Sequence, residues 1–188
     1  MRTRAFIVIA VAALALAGCG DHNLVLKVDV LSYLDPALRT VAFGPVPATS
    51  PALVSGEQAL VDDEAIQLFD GLDSAADVRS VSIGLSAFTR DSTGSGSDTL
   101  RIYLGDENTH PLAWPPVVEV VMNLVAGQDT TLDVTVPVDS RVAGLFLQRR
   151  MRLSVTTSLR GPESGDPLNG RVELRTIEAI VIAGRKAF

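Results

Sequence analysis

Apolar and polar residues alternate with a period of two through almost the whole chain after residue 23. Strands satisfy that period and helices do not. Leu24, Leu26, Val28 and Val30 alternate with Val25, Lys27, Asp29 and Leu31 before Asp35-Pro36 turns the chain. Val81, Ile83, Leu85 and Ala87 alternate with serines and Gly84, and Leu100, Ile102 and Leu104 face away from Arg101 and Tyr103. The polar run 91–98 between these segments, with Gly94-Ser95-Gly96 at its centre, reads as a flexible hairpin loop that pairs them. Residues 118–125 are apolar at both parities, the pattern of a strand buried on both faces or of one at a sheet interface. Leu132, Val134 and Val136 alternate again, as do Leu153, Val155, Thr157 and Leu159.

Two segments break the pattern informatively. In 171–182, Val172 and Leu174 share one parity while Ile177, Ala179 and Val181 share the other, so one extra residue near Thr176 is needed as a β-bulge. Asp139 precedes Val142, Leu145 and Phe146 at helical spacing and reads as the N-cap of a short helix near 139–147. Residues 44–60 are rich in Pro, Ser, Thr and Ala and read as a long connection with an edge segment at 59–61. Residues 62–77 suit either a short strand or a helical turn around Ile66. No repeat or heptad appears. Seven to nine short strands in residues 24–188 predict one all-β domain, an antiparallel immunoglobulin-like sandwich.

The first 23 residues follow different rules. Arg2 and Arg4 precede an uncharged run, 5–17, that would reach only about 20 Å as a helix, short of the roughly 30 Å hydrocarbon core. This is the pattern of a secretory signal, in which Ala15-Leu16-Ala17 would suit an ordinary signal peptidase that releases a chain starting at Gly18. The run closes on Leu16-Ala17-Gly18-Cys19, and Cys19 is the single cysteine of the chain. The tetrapeptide resembles the lipobox of bacterial lipoproteins. That resemblance covers only residues 1–19. It implies cleavage of residues 1–18, fatty acylation of Cys19, and a lipidated tether, 19–23, ahead of the domain. An aspartate after the cysteine favours inner-membrane retention in such proteins; Gly20 stands there, which implies the outer membrane. Without a second cysteine no intrachain disulfide forms.

Charge narrows the partners. Losing Arg2 and Arg4 leaves fourteen basic against twenty-two acidic side chains, a net charge of −8 over 170 residues. Such a domain is poorly suited to binding nucleic acid or to lying flat on anionic lipid. Membrane lipid through Cys19, and a protein or glycan of the cell envelope, are the partners it suits.

The catalytic inventory is thin. His22 lies in the tether, which leaves His110 as the domain's histidine, in the loop segment Asn108-Thr109-His110-Pro111, and no Gly-x-Ser-x-Gly elbow accompanies it. One histidine and an acylated cysteine do not make a zinc site. The acidic group Asp62, Asp63, Glu64, Asp70, Asp73 and Asp77 is the calcium candidate, although it lacks the D-x-[DN]-x-[DN]-G loop and a solvated acidic face explains it as well. Trp114 beside Pro115-Pro116 either anchors a partner or plugs the sandwich end. Arg149, Arg150 and Arg152 either meet an acidic partner or line the outer face of a strand. No motif calls for a cofactor.

The expectation is therefore a non-catalytic, lipid-anchored binding or scaffolding module that presents loops 44–60, 91–98 and 106–116. The alternatives are a carboxylate-based hydrolase acting on envelope glycans and an accessory subunit joined through an exposed edge strand.

Overall fold

The computed structural model describes residues 24–67 and 76–185. The leader, Cys19, His22, Asp70 and Asp73 lie outside the described residues, as does the side chain of Asp77. Strands β1 (Leu24–Asp29), β2 (Thr40–Val46), β4 (Ala76–Thr93), β7 (Asp129–Pro137) and β9 (Leu168–Arg185) form one sheet. Strands β3 (Gln58–Gln67), β5 (Gly96–Asp106), β6 (Val118–Leu124) and β8 (Arg150–Arg160) form the other, in the order β3-β8-β5-β6. Every pairing is antiparallel. The domain is an all-β sandwich with one short α-helix, α1 (Ser140–Leu145), capped by Asp139 through its bond from the Val142 N–H.

Both β1 and β2 pair with β9, β1 along Glu178–Ala183 and β2 along Leu168–Glu173, so they are successive pieces of one edge. Counting them as one, four strands face four. The chain crosses between sheets at every link except β5 to β6. Two antiparallel sheets packed face to face match the predicted sandwich, and the strand order within them is that of a jelly roll.

Several elements differ from the reading of the sequence. Segments 81–87 and 100–104 do not pair with each other: β4 pairs with β9 and β7, and β5 with β8 and β6. Alternation reports which face a strand buries and says nothing about which strand lies beside it. Gly94-Ser95 is accordingly a tight crossover between sheets. A Cβ on Gly94, whose φ is +76°, would lie 2.7 Å from backbone atoms of Asp166, Pro167 and Leu168. Residues 118–125 are not buried on both faces, because in a two-layer sandwich the outer face of β6 meets solvent, with Val121 59% exposed. Strand β1 stops at Asp29, whose carboxylate accepts from the Ser32 N–H and starts a 3₁₀ turn. That turn sends Val30, Leu31 and Leu34 into the core.

Elsewhere the pattern is realised. Val81, Ile83, Leu85 and Ala87 of β4 face Leu100, Ile102 and Leu104 of β5 across a dry interior, all 2% exposed or less. In β9 the register shifts between Thr176, opposite Ser86, and Leu174, opposite Ala87. Arg175 is the extra residue, and both halves of β9 bury their apolar side chains. The segment at 59–61 belongs to edge strand β3. Residues 62–67 continue that strand.

Gly94→Ala should cost several kcal/mol, because it combines a left-handed conformation with a backbone clash that no rotamer relieves. Thermal melting of the folded domain measures it; a shift of only a degree or two would show that the crossover can relax.

Candidate functional site

Apart from residues 30–39, which run along the β1–β2 edge, the antiparallel pairings sort the described connections to one of two ends. The chain enters at Leu24 on the same end as residues 107–117, α1 with residues 146–149, the start of β8 and the end of β9. Residues 47–57, the Gly94-Ser95 crossover, residues 125–128 and residues 161–167 lie at the other end. Loops 44–60, 91–98 and 106–116 therefore do not form one surface: the first two share an end and the third lies opposite.

The entry end gathers most of the described residues singled out from the sequence. Strand β3 is bulged twice, between Ala59 and Val61 and between Val61 and Glu64. The second bulge holds Asp63 at φ 53°, and its carboxylate turns across β8. There it receives Arg152 in a two-pronged pair, Nε to Oδ1 at 2.5 Å and Nη2 to Oδ2 at 2.5 Å. The Asp63 N–H donates to the buried Ser154 Oγ at 3.0 Å. Arg150, two residues along the same outer face, reaches Glu107 at 3.1 Å. Arg149 is exposed.

His110 stands beside this pair. Its Nδ1 accepts the Leu112 N–H at 3.2 Å and caps the 3₁₀ turn Pro111–Ala113. With Nδ1 an acceptor, the neutral ring carries its hydrogen on Nε2. That atom lies 3.8 Å from both Asp62 Oδ1 and Asp63 Oδ2. A triad base needs the opposite arrangement, with the carboxylate at one nitrogen and the second free to take a proton.

Among the described residues no group of three or more His, Cys, Asp or Glu could hold a metal. Asp62 and Asp63 approach each other only at His110 Nε2, 3.8 Å from each, and Asp63 is spent on Arg152. Trp114 neither plugs the sandwich nor stands fully free. It is 38% exposed, with the Arg141 guanidinium 4.8 Å from the ring centre.

Two polar arrangements were not legible in advance. On the outer face of the second sheet, Glu57 accepts from the Tyr103 hydroxyl at 2.8 Å and from Thr156. Arg101 bonds Glu119 at 2.8 Å and Ser158 at 3.1 Å. The Thr156 bond above all, then Tyr103 and Arg101, hold the Glu57 carboxyl below its ordinary range against the opposing effect of burial. The second arrangement lies inside. Asp98 is 0% exposed on the core face of β5, bonded by the Thr157 hydroxyl at Oδ1 and without a partner at Oδ2. Burial pushes its carboxyl up to about 6, the Thr157 bond offsetting only part. In the sequence both arrangements were ordinary polar residues on strands, since cross-strand partners are set by topology.

One depression of about 320 Å³ crosses the outer face of the first sheet, floored by Gly84 and flanked by Asp133 and Glu178. It is shallow, and Glu178 is paired there with Lys27 at 3.0 Å.

No protein-family model matches the sequence, and no curated protein matches it. Among solved structures the chain is similar to the infectious bursal disease virus Gx strain structure, with TM-score 0.43, 11% identity, and coverage of 89% of this chain and 38% of that one. The VP2 subviral particle of the same virus gives 0.39, 13%, 89% and 38%. A structure described as "CBM4 structure and function" gives 0.30 and 12%, covering 86% of each chain. The chain thus spans well under half the length of the viral structures it matches, and nothing about activity or ligand follows from likeness at this level.

Two outcomes test the electrostatics. Arg152→Ala should lower unfolding free energy by about 1–2 kcal/mol, whereas Arg150→Ala, whose pair is exposed, should change it by under about 0.5 kcal/mol. Urea midpoints at constant slope read both, and equal losses would contradict the assignment. For Asp98 the folded state binds its proton more tightly than the unfolded chain. The carboxyl therefore costs nothing below its unfolded pKa near 3.8, and stability drains away as pH rises toward about 6. Asp98→Asn should remove that trend. The stability difference between variant and parent should change by about 3 kcal/mol between about pH 3.5 and pH 7. A flat difference would show that the carboxyl is not held up by burial.

Proposed function

We propose that this chain is a lipid-anchored protein of the bacterial cell envelope, held in the outer membrane in preference to the inner, that acts as a non-catalytic binding or scaffolding module. The observation that carries this is Cys19 at the end of a lipobox-like tetrapeptide, five residues ahead of the first strand at Leu24. Each buried CH₂ of an acyl chain contributes about 0.8 kcal/mol, so two or three long chains on Cys19 make release negligible. The domain side of the reading is supported by His110, whose Nδ1 is taken by the Leu112 N–H, and by an outer face whose polar groups bond one another.

An accessory-subunit role is favoured by one further feature. Edge strands β1, β2 and β3 are interrupted or bulged, which discourages pairing with another chain, while β6 and β7 run without a register shift against β5 and β4. A neighbour's strand would add along that side.

Intact mass of the protein made in a bacterial host should show a chain starting at Cys19 with diacylglyceryl added. Cys19→Ala should move it from the membrane to the soluble fraction. A chain beginning at Gly18 without an adduct, or a Cys19→Ala protein that stays with the membrane, would overturn the proposal.

A further inference from the structure

The anchored reading leaves open which surface of the sandwich meets the bilayer, and the geometry of the entry end answers it. Four residues separate Cys19 from Leu24, and the five chain steps between them reach at most about 17 Å. The eleven residues of β8 span about 35 Å from one end of the sandwich to the other. A tether that short holds the entry end beside the membrane, and the opposite end reaches the bilayer only if the sandwich lies on its side.

The entry end carries the side chains for such a contact. Leu24 has the core-facing parity of Val28, yet it lies beyond the packed interior at the rim and is 51% exposed. Leu112 is 43% exposed and Trp114 38%, both on the connection between β5 and β6. Leu147, just after α1, is 43% exposed. Arg141 joins these parts by placing its guanidinium over the Trp114 ring from α1. Tryptophan with an apolar body and a polar tip is the side chain best suited to the headgroup boundary.

We infer that the entry end, with Leu24, Leu112, Trp114 and Leu147 foremost, rests in the interface of the bilayer to which Cys19 is tied. The partner is the lipid surface itself. Charge does not drive the contact, because Asp62 and Glu107 share this end with Arg149 and Arg150. Zwitterionic lipid is sufficient. The opposite end also exposes apolar residues, Leu53 at 52% and Val54 at 64%, but the tether presents the entry end to the bilayer first.

The test uses the chain from Cys19 onward, unacylated, coupled through its single thiol to maleimide-headgroup lipid in phosphatidylcholine vesicles. Chemical coupling replaces cellular acylation, so failure here is distinguishable from failure of the anchored reading, which intact mass decides. Trp114 is the single tryptophan and serves as reporter. Its emission should shift to the blue and fall about twofold or more when the vesicles contain phosphatidylcholine brominated along its acyl chains, with little change on adding salt. A Trp114→Phe, Leu53→Trp protein moves the reporter to the far end and should be quenched by less than about 1.2-fold. Emission from Trp114 that brominated lipid leaves unchanged, or equal quenching at both ends, would overturn the inference.

Discussion

Strands β4 and β9 pair along almost their whole lengths, from Ala76 opposite Arg185 to Thr93 opposite Asn169, and they form the centre of the first sheet. Strand β9 serves β1 and β2 on its other edge, so three neighbours depend on its register. A slip of one residue would turn Val172, Leu174, Ile177, Ala179 and Val181 out to solvent. Fully burying a side chain of this size contributes about 1.5–3 kcal/mol, so no alternative register competes. The bulge at Arg175 is what allows both halves of the strand to meet the same core. Its guanidinium, left on the outer face, lies 4.0 Å from the centre of the Phe88 ring.

Against that apolar interior the carboxyl of Asp98 is an anomaly. A core position filled by a titratable group with one unpaired oxygen opposes folding at neutral pH. It lies two residues past Gly96, where the chain has just crossed between sheets and where a Cβ would meet the Arg160 carbonyl at 2.2 Å. The fold absorbs the cost because the surrounding β5, β6 and β8 pairings are continuous there.

The two ends of the sandwich differ in kind. The far end is built from close turns whose backbones touch, as Gly94 and Gly96 require. The entry end carries the short helix, the capped turn at His110, the bulge at Asp63 and Trp114. Its Asp63–Arg152 pair locks the bulge of an edge strand to the neighbouring β8.

The amino-acid sequence by itself determined the fold class, the short helix behind Asp139 and the bulge that reverses the parity of β9. Each of these is a local matter of which side chains share a face, and alternation records that directly. The same residues pointed to Cys19 through a motif a few residues long. Only the tertiary structure decided that β4 and β5 lie in different sheets, that residues 118–125 form an exposed edge, that His110 comes beside Asp63 and Arg152, and that Asp98 is sealed inside. Those facts depend on strand order, and strand order is chosen by how two whole sheets bury their faces together, a property that no single stretch of chain contains.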